Sequence, residues 1–303
     1  MVDITHKVTT LRTAVAQAIV KVSKLETIQA IENDTVPKGN VFAMSKAAGL
    51  LGVKRTPDIL PDCHPLPIEF TSVEYDINRL EITVLFTVKT IYKTGVEVEA
   101  MHGASVVALN MYDMLKPIDK GIEIHEIKLL NKKGGKSDFK DKFRKDLTAA
   151  VIVCSDTISA GHKEDKAGKE IIEKLETCDV KISDYIIIPD EKDVIQEKAK
   201  AYQKQGIDLI IFTGGTGLSG RDVTPESLLP ILDRRIPGIE EAIRNYGQDR
   251  MPYAMLSRSV AGTINNTLVL ALPGSTNGAK ESMDAIFPSV LHVFRILKGA
   301  RHD

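Results

Sequence analysis

The chain has little of what marks a secreted or membrane protein. Among its 303 residues there is no tryptophan, only 5% are aromatic, and there are three cysteines, Cys63, Cys154 and Cys178. Three scattered cysteines are too few for a disulfide framework or a thiolate zinc site, which favours a reducing compartment. No signal peptide and no apolar run long enough to cross a bilayer is found, so we expect a cytoplasmic protein without membrane partners.

Charge of one sign is also missing. The chain carries 40 Lys and Arg against 41 Asp and Glu, a net charge of −1, and this balance argues against a general nucleic-acid partner. The length suits two domains better than one core. We predict domains at residues 1–139 and 148–303, joined by a lysine-containing linker at residues 140–147.

In the first half, the spacing of Leu11, Val15, Ala18 and Ile19 predicts a helix over residues 10–22, and a second helix is expected over residues 41–53. Alternating apolar residues between 80 and 88 predict a half-buried strand, followed by a long helix over residues 100–115. Asp113 and Lys116 share a face at the end of that helix. Taken singly, such residues are ordinary surface ion pairs.

Six motifs occur in order in this half: Lys38-Gly39-Asn40-Val41-Phe42, Lys54-Arg55-Thr56, Cys63-His64-Pro65-Leu66, Lys93-Thr94-Gly95-Val96-Glu97-Val98-Glu99-Ala100, Tyr112-Asp113-Met114-Leu115-Lys116 and Lys133-Gly134-Gly135-Lys136-Ser137. In this order they resemble the motifs of the cyclic pyranopterin monophosphate synthase family of molybdenum cofactor biosynthesis. The resemblance spans nearly all of residues 1–139. Asn40 departs from it, because the family usually has Asp at that position.

The resemblance implies a ferredoxin-like α+β domain and a homo-oligomer, a hexamer built as a trimer of dimers, with sites shared between subunits. It implies conversion of a cyclic dihydroguanosine triphosphate intermediate to cyclic pyranopterin monophosphate with release of pyrophosphate. Rearranging such a substrate requires cations for phosphate and groups that move protons, and a lysine does the latter near neutral pH only if its pKa falls toward ~7–8. By the resemblance, the catalytic residues are Lys38, Asp113 and Lys116, and the substrate-binding residues are Cys63, His64, Glu97, Val98 and Glu99.

From Thr148 onward, strands and helices alternate, which predicts a three-layer α/β domain with a mostly parallel sheet and a final helix reaching Ile296. Polar residues follow four of the predicted strands. They are Ser155-Asp156, Asp190, the glycine loop that begins at Gly214, and Pro273-Gly274-Ser275. Open α/β sheets bind ligands at the carboxyl ends of their strands, so we expect a nucleotide and metal pocket there. Taken singly, Asp156 and Asp190 could be helix caps.

The glycine loop, residues 213–225, contains Gly214, Gly215, Gly217 and Gly220. Its backbone N–H groups can turn toward an anion, and Thr224-Pro225 is expected to open the next helix as N-cap and first residue. The spacing of Gly215, Gly217 and Gly220 leaves open a nucleotide-dependent oxidoreductase, and a glycine-rich turn without a ligand is a further alternative. A Walker loop is excluded, because Arg221 and Asp222 stand where Lys and Ser or Thr are required.

Motifs at the four strand ends, together with Asp165-Lys166-Ala167-Gly168, resemble the molybdopterin adenylyltransferase family of the MogA/MoaB type. The resemblance implies that ATP is a co-substrate, that molybdopterin is adenylylated, and that Mg²⁺ is held by the catalytic carboxylates Asp190 and Asp222. A nonenzymatic pterin scaffold with one inactive half is the remaining alternative. The implied substrate-binding residues are Ser155, Asp156, Gly214, Gly215, Thr216, Gly217, Arg221, Pro273, Gly274 and Ser275.

Overall fold

The computed structural model describes residues 1–135 and 146–299. Contacts divide the chain into two compact units, Met1–Phe139 and Lys140–Asp303. The linker predicted at residues 140–147 lies mostly outside the described residues, and Leu147 is buried in the core of the second unit. The domain limits therefore stay a prediction.

In its described residues, 1–135, the first unit contains one antiparallel sheet and four helices. The sheet has the strand order β2-β3-β1-β4, with every neighbouring pair antiparallel. This arrangement confirms the predicted ferredoxin-like α+β class. The elements are β1 (Thr10–Lys21), α1 (Leu25–Glu32), α2 (Val41–Lys54), α3 (Thr56–Ile59), β2 (Phe70–Asn78), β3 (Glu81–Tyr92), α4 (Glu97–Leu115) and β4 (Glu123–Lys133).

The helix predicted over residues 10–22 is wrong, because this segment forms β1, a central strand that pairs with both β3 and β4. Ala14, Ala16, Ala18 and Val20 are all fully buried, whereas the residues between them are partly exposed. Alanine has a high helix propensity, but tertiary packing overrides it in a strand that has partners on both sides.

Helix α4 packs tightly on the sheet, which fixes the charged residues that it carries. Its inward positions are small, with Ala100, Ala104 and Ala108 buried. At Gly103, an added Cβ would lie 2.6 Å from the ring of Phe86 on β3, so only glycine allows this approach. The two ends of α4 are therefore held at defined places over the sheet.

The second unit is built around a six-stranded sheet of order β6-β5-β7-β10-β9-β8. β6, β5, β7 and β10 are parallel neighbours, and β9 and β8 complete the sheet antiparallel. The elements are β5 (Thr148–Cys154), α5 (Asp156–Ser159), α6 (Ala167–Glu176), β6 (Lys181–Ile188), α7 (Lys192–Lys204), β7 (Leu209–Thr213), α8 (Thr224–Leu228), β8 (Arg234–Arg235), α9 (Pro237–Gln248), β9 (Val260–Ile264), β10 (Thr267–Leu272), α10 (Thr276–Ile286) and α11 (Val293–Ile296).

Each central strand of this sheet contributes to two separate cores. On β7, Leu209 and Ile211 belong to the core that contains residues of α6, α9 and α10. Ile210 and Phe212 belong to the core that contains residues of α7 and α8. Because successive side chains of a strand point to opposite faces, this division confirms the predicted three-layer α/β fold.

The last predicted helix is shorter than expected. It ends at Ile286, and a 3₁₀ helix at Ser289–His292 and the four-residue α11 at residues 293–296 follow. Pro288 explains the break, because a proline excludes the helical conformation from the residue before it. In the described parts of both units, no helix is long and apolar enough to span a bilayer.

Candidate active sites

Lys38, Asp113 and Lys116 form one cluster in the first unit. The Lys38 ammonium lies 2.6 Å from Asp113 Oδ2, and that of Lys116 lies 2.6 Å from Oδ1. Lys38 also donates to the backbone carbonyl of Asp113 at 2.9 Å. Hydrogen bonds from the two lysines, that of Lys116 being the stronger influence, lower the pKa of Asp113 to about 2. Asp113 in turn raises the pKa of Lys116, so this lysine is held as a cation in this arrangement.

Cys63 and Glu99 form a second group near the other end of α4. The Cys63 thiol donates to Glu99 Oε1 at 3.1 Å, and Glu99 is only 2% exposed. Burial raises the pKa of Glu99. Burial and the hydrogen bond to Glu99 raise the pKa of Cys63 to about 12. Cys63 is therefore a hydrogen-bond donor here and not a thiolate nucleophile.

The other predicted substrate-binding residues of this unit have separate partners. His64 Nε2 lies 2.8 Å from the carbonyl oxygen of Val2. Glu97 pairs with Lys132 of β4 at 3.0 Å. Val98 is 45% exposed. The structure thus brings Cys63 and Glu99 together, and places His64 in contact with the first residues of the chain.

Distance along α4 separates the two groups. Asp113 lies 14 positions after Glu99 on this straight run of 19 helical residues, which corresponds to roughly 21 Å at ~1.5 Å per residue. One chain therefore carries the two groups of predicted site residues at opposite ends of the helix.

In the second unit, the carboxyl ends of β6, β5, β7 and β10 lie side by side and bring the predicted residues to one edge. Gly214 and Gly215 have φ angles of +105° and +62°. A Cβ at Gly214 would lie 2.1 Å from the carbonyl oxygen of Cys154, and one at Gly215 would lie 2.6 Å from Asp190 Oδ1. These two glycines let the loop run directly against β5 and Asp190.

The expected N-cap at Thr224 is wrong. Val223 occupies the N-cap position, and the buried hydroxyl of Thr224 donates instead to the carbonyl of Gly214 at 3.0 Å. The hydroxyl therefore closes the loop by joining its end to its beginning. The helix it opens, α8, has only five residues, so its dipole adds little to the loop's N–H groups.

Arg221 bridges the acidic residues at the mouth of the loop. Its Nε and Nη2 donate to Asp156 Oδ2 at 3.0 and 2.7 Å, and Nη2 also reaches Glu191 Oε1 at 3.1 Å. Asp156 Oδ1 accepts the backbone N–H of Asp190 at 3.1 Å. Ser155, not Asp156, caps α5, and α7 begins after Glu191 without a side-chain cap, so the capping alternatives for Asp156 and Asp190 are wrong.

Asp190 is the most perturbed carboxylate of this edge. Burial, followed by the negative charge of Asp156 and that of Asp222, raises the pKa of Asp190 to about 6. Its Oδ1 is buried and has no hydrogen-bond partner within residues 1–135 and 146–299. Asp222 lies against the same loop, where its Oδ2 accepts the Ser219 N–H at 2.8 Å.

The carboxylates of Asp190 and Asp222 fit a magnesium ion whose remaining ligands would come from water and substrate. Among the described residues, no group of three His, Cys, Asp or Glu side chains is placed to hold a metal ion. Magnesium commonly takes only one or two protein carboxylates and completes its shell with water and phosphate oxygens. A nearby cation would give the unpartnered Oδ1 of Asp190 a ligand and would lower the raised pKa of this carboxylate.

Beside the loop lies a cleft of about 970 Å³. Thr216, Gly217, Pro273, Gly274 and Ser275 line it, together with parts of α9 and α10. Ser275 also caps α10, accepting the Gly278 N–H at 3.2 Å. Asp156, Asp190, Arg221 and Asp222 are not among the lining residues, so the predicted set divides between the cleft and the acidic mouth of the loop.

Arg258 is a residue of this site that no sequence motif indicated. Its Nε donates to the carbonyl of Gly217 at 2.8 Å and its Nη2 to that of Asp222 at 2.7 Å, while Nη1 pairs with Glu226. Its own N–H donates to the carbonyl of Thr216 at 3.2 Å. Because its partners are distant in sequence, no local pattern could have revealed this contact.

Together, the two folds and their charged clusters define an enzyme with two domains. The model of the MoaC family matches residues 1–135, and that of a family described as a probable molybdopterin binding domain matches residues 150–292. The chain is 39% identical over 302 residues to the molybdenum cofactor biosynthesis bifunctional protein of Chlorobaculum tepidum. The matched region covers 100% of this chain and 96% of that relative.

Single-domain relatives match each half. The cyclic pyranopterin monophosphate synthase of Geotalea uraniireducens is 48% identical over 139 residues, 45% of this chain and 86% of that protein. The solved structure of the molybdopterin biosynthesis enzyme MoaB from Thermus thermophilus is 36% identical, covers 52% of this chain and 99% of its own, and has a TM-score of 0.49.

This protein belongs to the family of bifunctional proteins of molybdenum cofactor biosynthesis. Membership confirms the resemblances of both halves, and it replaces the alternatives of an oxidoreductase and of a nonenzymatic scaffold. The roles of the individual site residues stay predictions.

Proposed function

We propose that the first domain converts cyclic dihydroguanosine triphosphate to cyclic pyranopterin monophosphate and pyrophosphate. The paired cations on Asp113 carry this proposal. Lys38 and Lys116 supply two positive charges for a triphosphate, and Lys116, with its raised pKa, donates a proton to a leaving oxygen. A triphosphate in place of Asp113 is also an anion and keeps the pKa of Lys116 high, so Lys116 acts as a cation and proton donor and not as a base.

The test of this proposal is pyrophosphate release by Lys116→Ala. We expect the variant to lose activity by at least roughly 10²-fold, as is typical when a positioned acid or base is removed. Lys120→Ala removes an exposed lysine just beyond α4 and should leave the rate unchanged. Equal rates for the two variants would remove Lys116 from the reaction.

For the second domain we propose adenylylation of molybdopterin with ATP at the acidic mouth of the glycine loop. The N–H groups of residues 215–217 face the phosphates, since that of Gly214 donates to the carbonyl of Leu272 at 3.1 Å. Arg221 exchanges Asp156 for a phosphate oxygen when the nucleotide enters. Asp190 and Asp222 would hold Mg²⁺. When bound, the cation offsets the charge of the triphosphate at the transferring phosphorus. The adjoining cleft receives the pterin.

The single observation behind this proposal is Asp190, a carboxylate with a buried, unpartnered oxygen at the strand edge. Asp222→Asn should fold, still bind molybdopterin, and lose adenylylation by about 10²–10³-fold. Asp179→Asn, at an exposed turn whose positive φ asparagine tolerates, is the matched control. An unaltered rate and unaltered Mg²⁺ dependence in Asp222→Asn would contradict the role given to this residue.

A further inference from the structure

The cleft beside the glycine loop has walls of mixed charge. Three carboxylates line it, Glu164, Asp165 and Glu281. Glu164 pairs with Lys169 at 2.5 Å. Asp165 is 4% exposed and accepts the Tyr185 hydroxyl at 2.7 Å and the Gly168 N–H at 3.1 Å. The carboxylates of Glu164 and Asp165 are therefore already engaged by other groups of the protein.

Glu281 differs from the other two. It is half-buried on α10, and in the described part of the chain it makes no hydrogen bond or ion pair. A half-buried carboxylate on the wall of a cleft retains all its acceptor capacity for a ligand. Among the acidic residues of this cleft, Glu281 alone has that capacity.

The position of Glu281 along α10 sets the distance to the anion-favouring end of the cleft. Gly278, Glu281 and Ser282 all line the cleft, as their i, i+3, i+4 spacing on a helix requires. Glu281 lies six positions after the N-cap Ser275, which is roughly 9 Å along the axis. The cleft thus offers the start of α10 and the glycine loop at one end, and a free carboxylate about 9 Å away.

We propose that Glu281 recognises the amide and amino edge of the pterin ring. That edge carries a ring N–H beside an exocyclic amino group, two parallel donors that match a carboxylate as a guanidinium does. The phosphate of the same substrate then lies toward the glycine loop. Adenine fits Glu281 poorly, because its amino group stands beside a ring nitrogen that is an acceptor. Glu281 therefore selects the pterin over the nucleotide base, an inference that rests on the function proposed for this domain.

The test compares two stable ligands, hydroxymethylpterin phosphate and its lumazine counterpart, in which an oxo group replaces the exocyclic amino group. The parent protein should bind the pterin roughly 10- to 100-fold more tightly, since a pair of charged hydrogen bonds depends on the amino group. Glu281→Gln places a donor beside an acceptor, which complements the lumazine edge. This variant should therefore lose the preference for pterin or reverse it.

Two controls accompany the comparison. Glu241→Gln changes an exposed carboxylate of α9 that does not line the cleft, and it should keep the parent's preference. ATP affinity, measured for every variant, reports whether the fold is intact. If Glu281→Gln binds ATP normally and keeps the full preference for pterin, the inference is overturned. If the parent binds neither the pterin nor the lumazine ligand, the proposed function of the domain is wrong, and this inference is wrong with it.

Discussion

At the scale of single residues, the folded protein keeps the Asp190 carboxylate charged at neutral pH at a cost in stability. Asp190 has a pKa of about 6, against ~3.9 for an unfolded aspartate. Between these values the folded protein binds more protons than the unfolded chain, so stability falls as the pH rises from about 4 to above about 6. A half-buried carboxylate that destabilises the fold is what a functional position would show.

Asp190→Asn should therefore be more stable than the parent at pH 8, by roughly 2–4 °C in Tm, and equally stable near pH 4. Calorimetric melting at both pH values, without divalent cations, measures this difference. Asp179→Asn should show no such pH dependence. The variant should also lose adenylylation. A stabilisation of the same size at both pH values would mean that burial of the side chain, and not its charge, is responsible.

Residue contacts were predictable from the sequence only where they are local. The spacing of Asp113 and Lys116 on one helix indicated their ion pair directly. Lys38 reaches the same carboxylate from 75 positions away, and only the family resemblance suggested it. Arg258 had neither kind of signal, because its side chain bonds only to residues more than 30 positions earlier in the described part of the chain.

At the scale of elements, Arg258 holds the glycine loop by the carbonyls of Gly217 and Asp222. With these carbonyls turned toward the guanidinium, the N–H groups of the same peptides face away from it. Arg258→Lys removes this two-point contact, because an ammonium cannot span both carbonyls in the same fixed geometry. We expect the KM for ATP to rise about tenfold, the equivalent of roughly one lost hydrogen bond.

The control for this variant is Arg234→Lys, an exposed arginine of β8, whose KM should not change. The Tm of Arg258→Lys separates a positioning role from a structural one. An unchanged KM combined with a lowered Tm would assign Arg258 to the stability of the domain alone.

A second element contact joins the end of α4 to α1. Asp119 is 2% exposed and accepts hydrogen bonds from Ser23 N–H at 2.8 Å, Thr27 Oγ1 at 2.9 Å and Gly121 N–H at 2.9 Å. Burial opposes ionisation, but these bonds outweigh it and lower the pKa of Asp119 to about 2. Its stabilising effect is therefore present above pH ~4 and is lost as the pH falls toward 2.

Asp119→Asn should lower the free energy of unfolding by roughly 2–3 kcal/mol at pH 7, since one acceptor becomes a donor that faces other donors. Urea denaturation of the variant and of Asp76→Asn, an exposed control on β2, measures the difference. The gap between Asp119→Asn and the parent should close as the pH falls below about 4. Equal stability of both variants at pH 7 would show that the bonds to Asp119 contribute nothing.

Elements themselves were predictable where pattern and environment agreed. The buried strands of the parallel sheet and helix α4 follow from their apolar patterns. Strand β1 did not, because its inward residues are alanines, which favour helices, and its need for small side chains arises from α4 lying across it. The strict alternation at residues 14, 16, 18 and 20 was the available signal.

At the scale of the whole molecule, the two groups of predicted site residues lie at opposite ends of α4. Lys38 and Lys116 meet on Asp113 within one chain, whereas Cys63 and Glu99 lie roughly 21 Å away along the helix. We propose that a complete site combines one end of α4 from each of two subunits, as the expected homo-oligomer would allow.

Mixing inactive Lys116→Ala chains with inactive Glu99→Gln chains should restore pyranopterin formation to about a quarter of the parent rate, because one site in four receives both intact ends on random exchange. Lys38→Ala mixed with Lys116→Ala is the matched control and should restore nothing, since both lysines belong to the same end. Recovery in neither mixture, after subunit exchange has been verified by native mass measurement, would contradict the shared site.

The most direct test of the whole account measures both activities in the same full-length preparations. The central claim is that one chain carries two chemically separate sites, one on Asp113 and its lysines and one on the glycine loop. Lys116→Ala should lose pyranopterin formation and keep adenylylation at the parent rate. Asp222→Asn should show the opposite pattern. Loss of both activities in either variant, or of neither in both, would contradict the account.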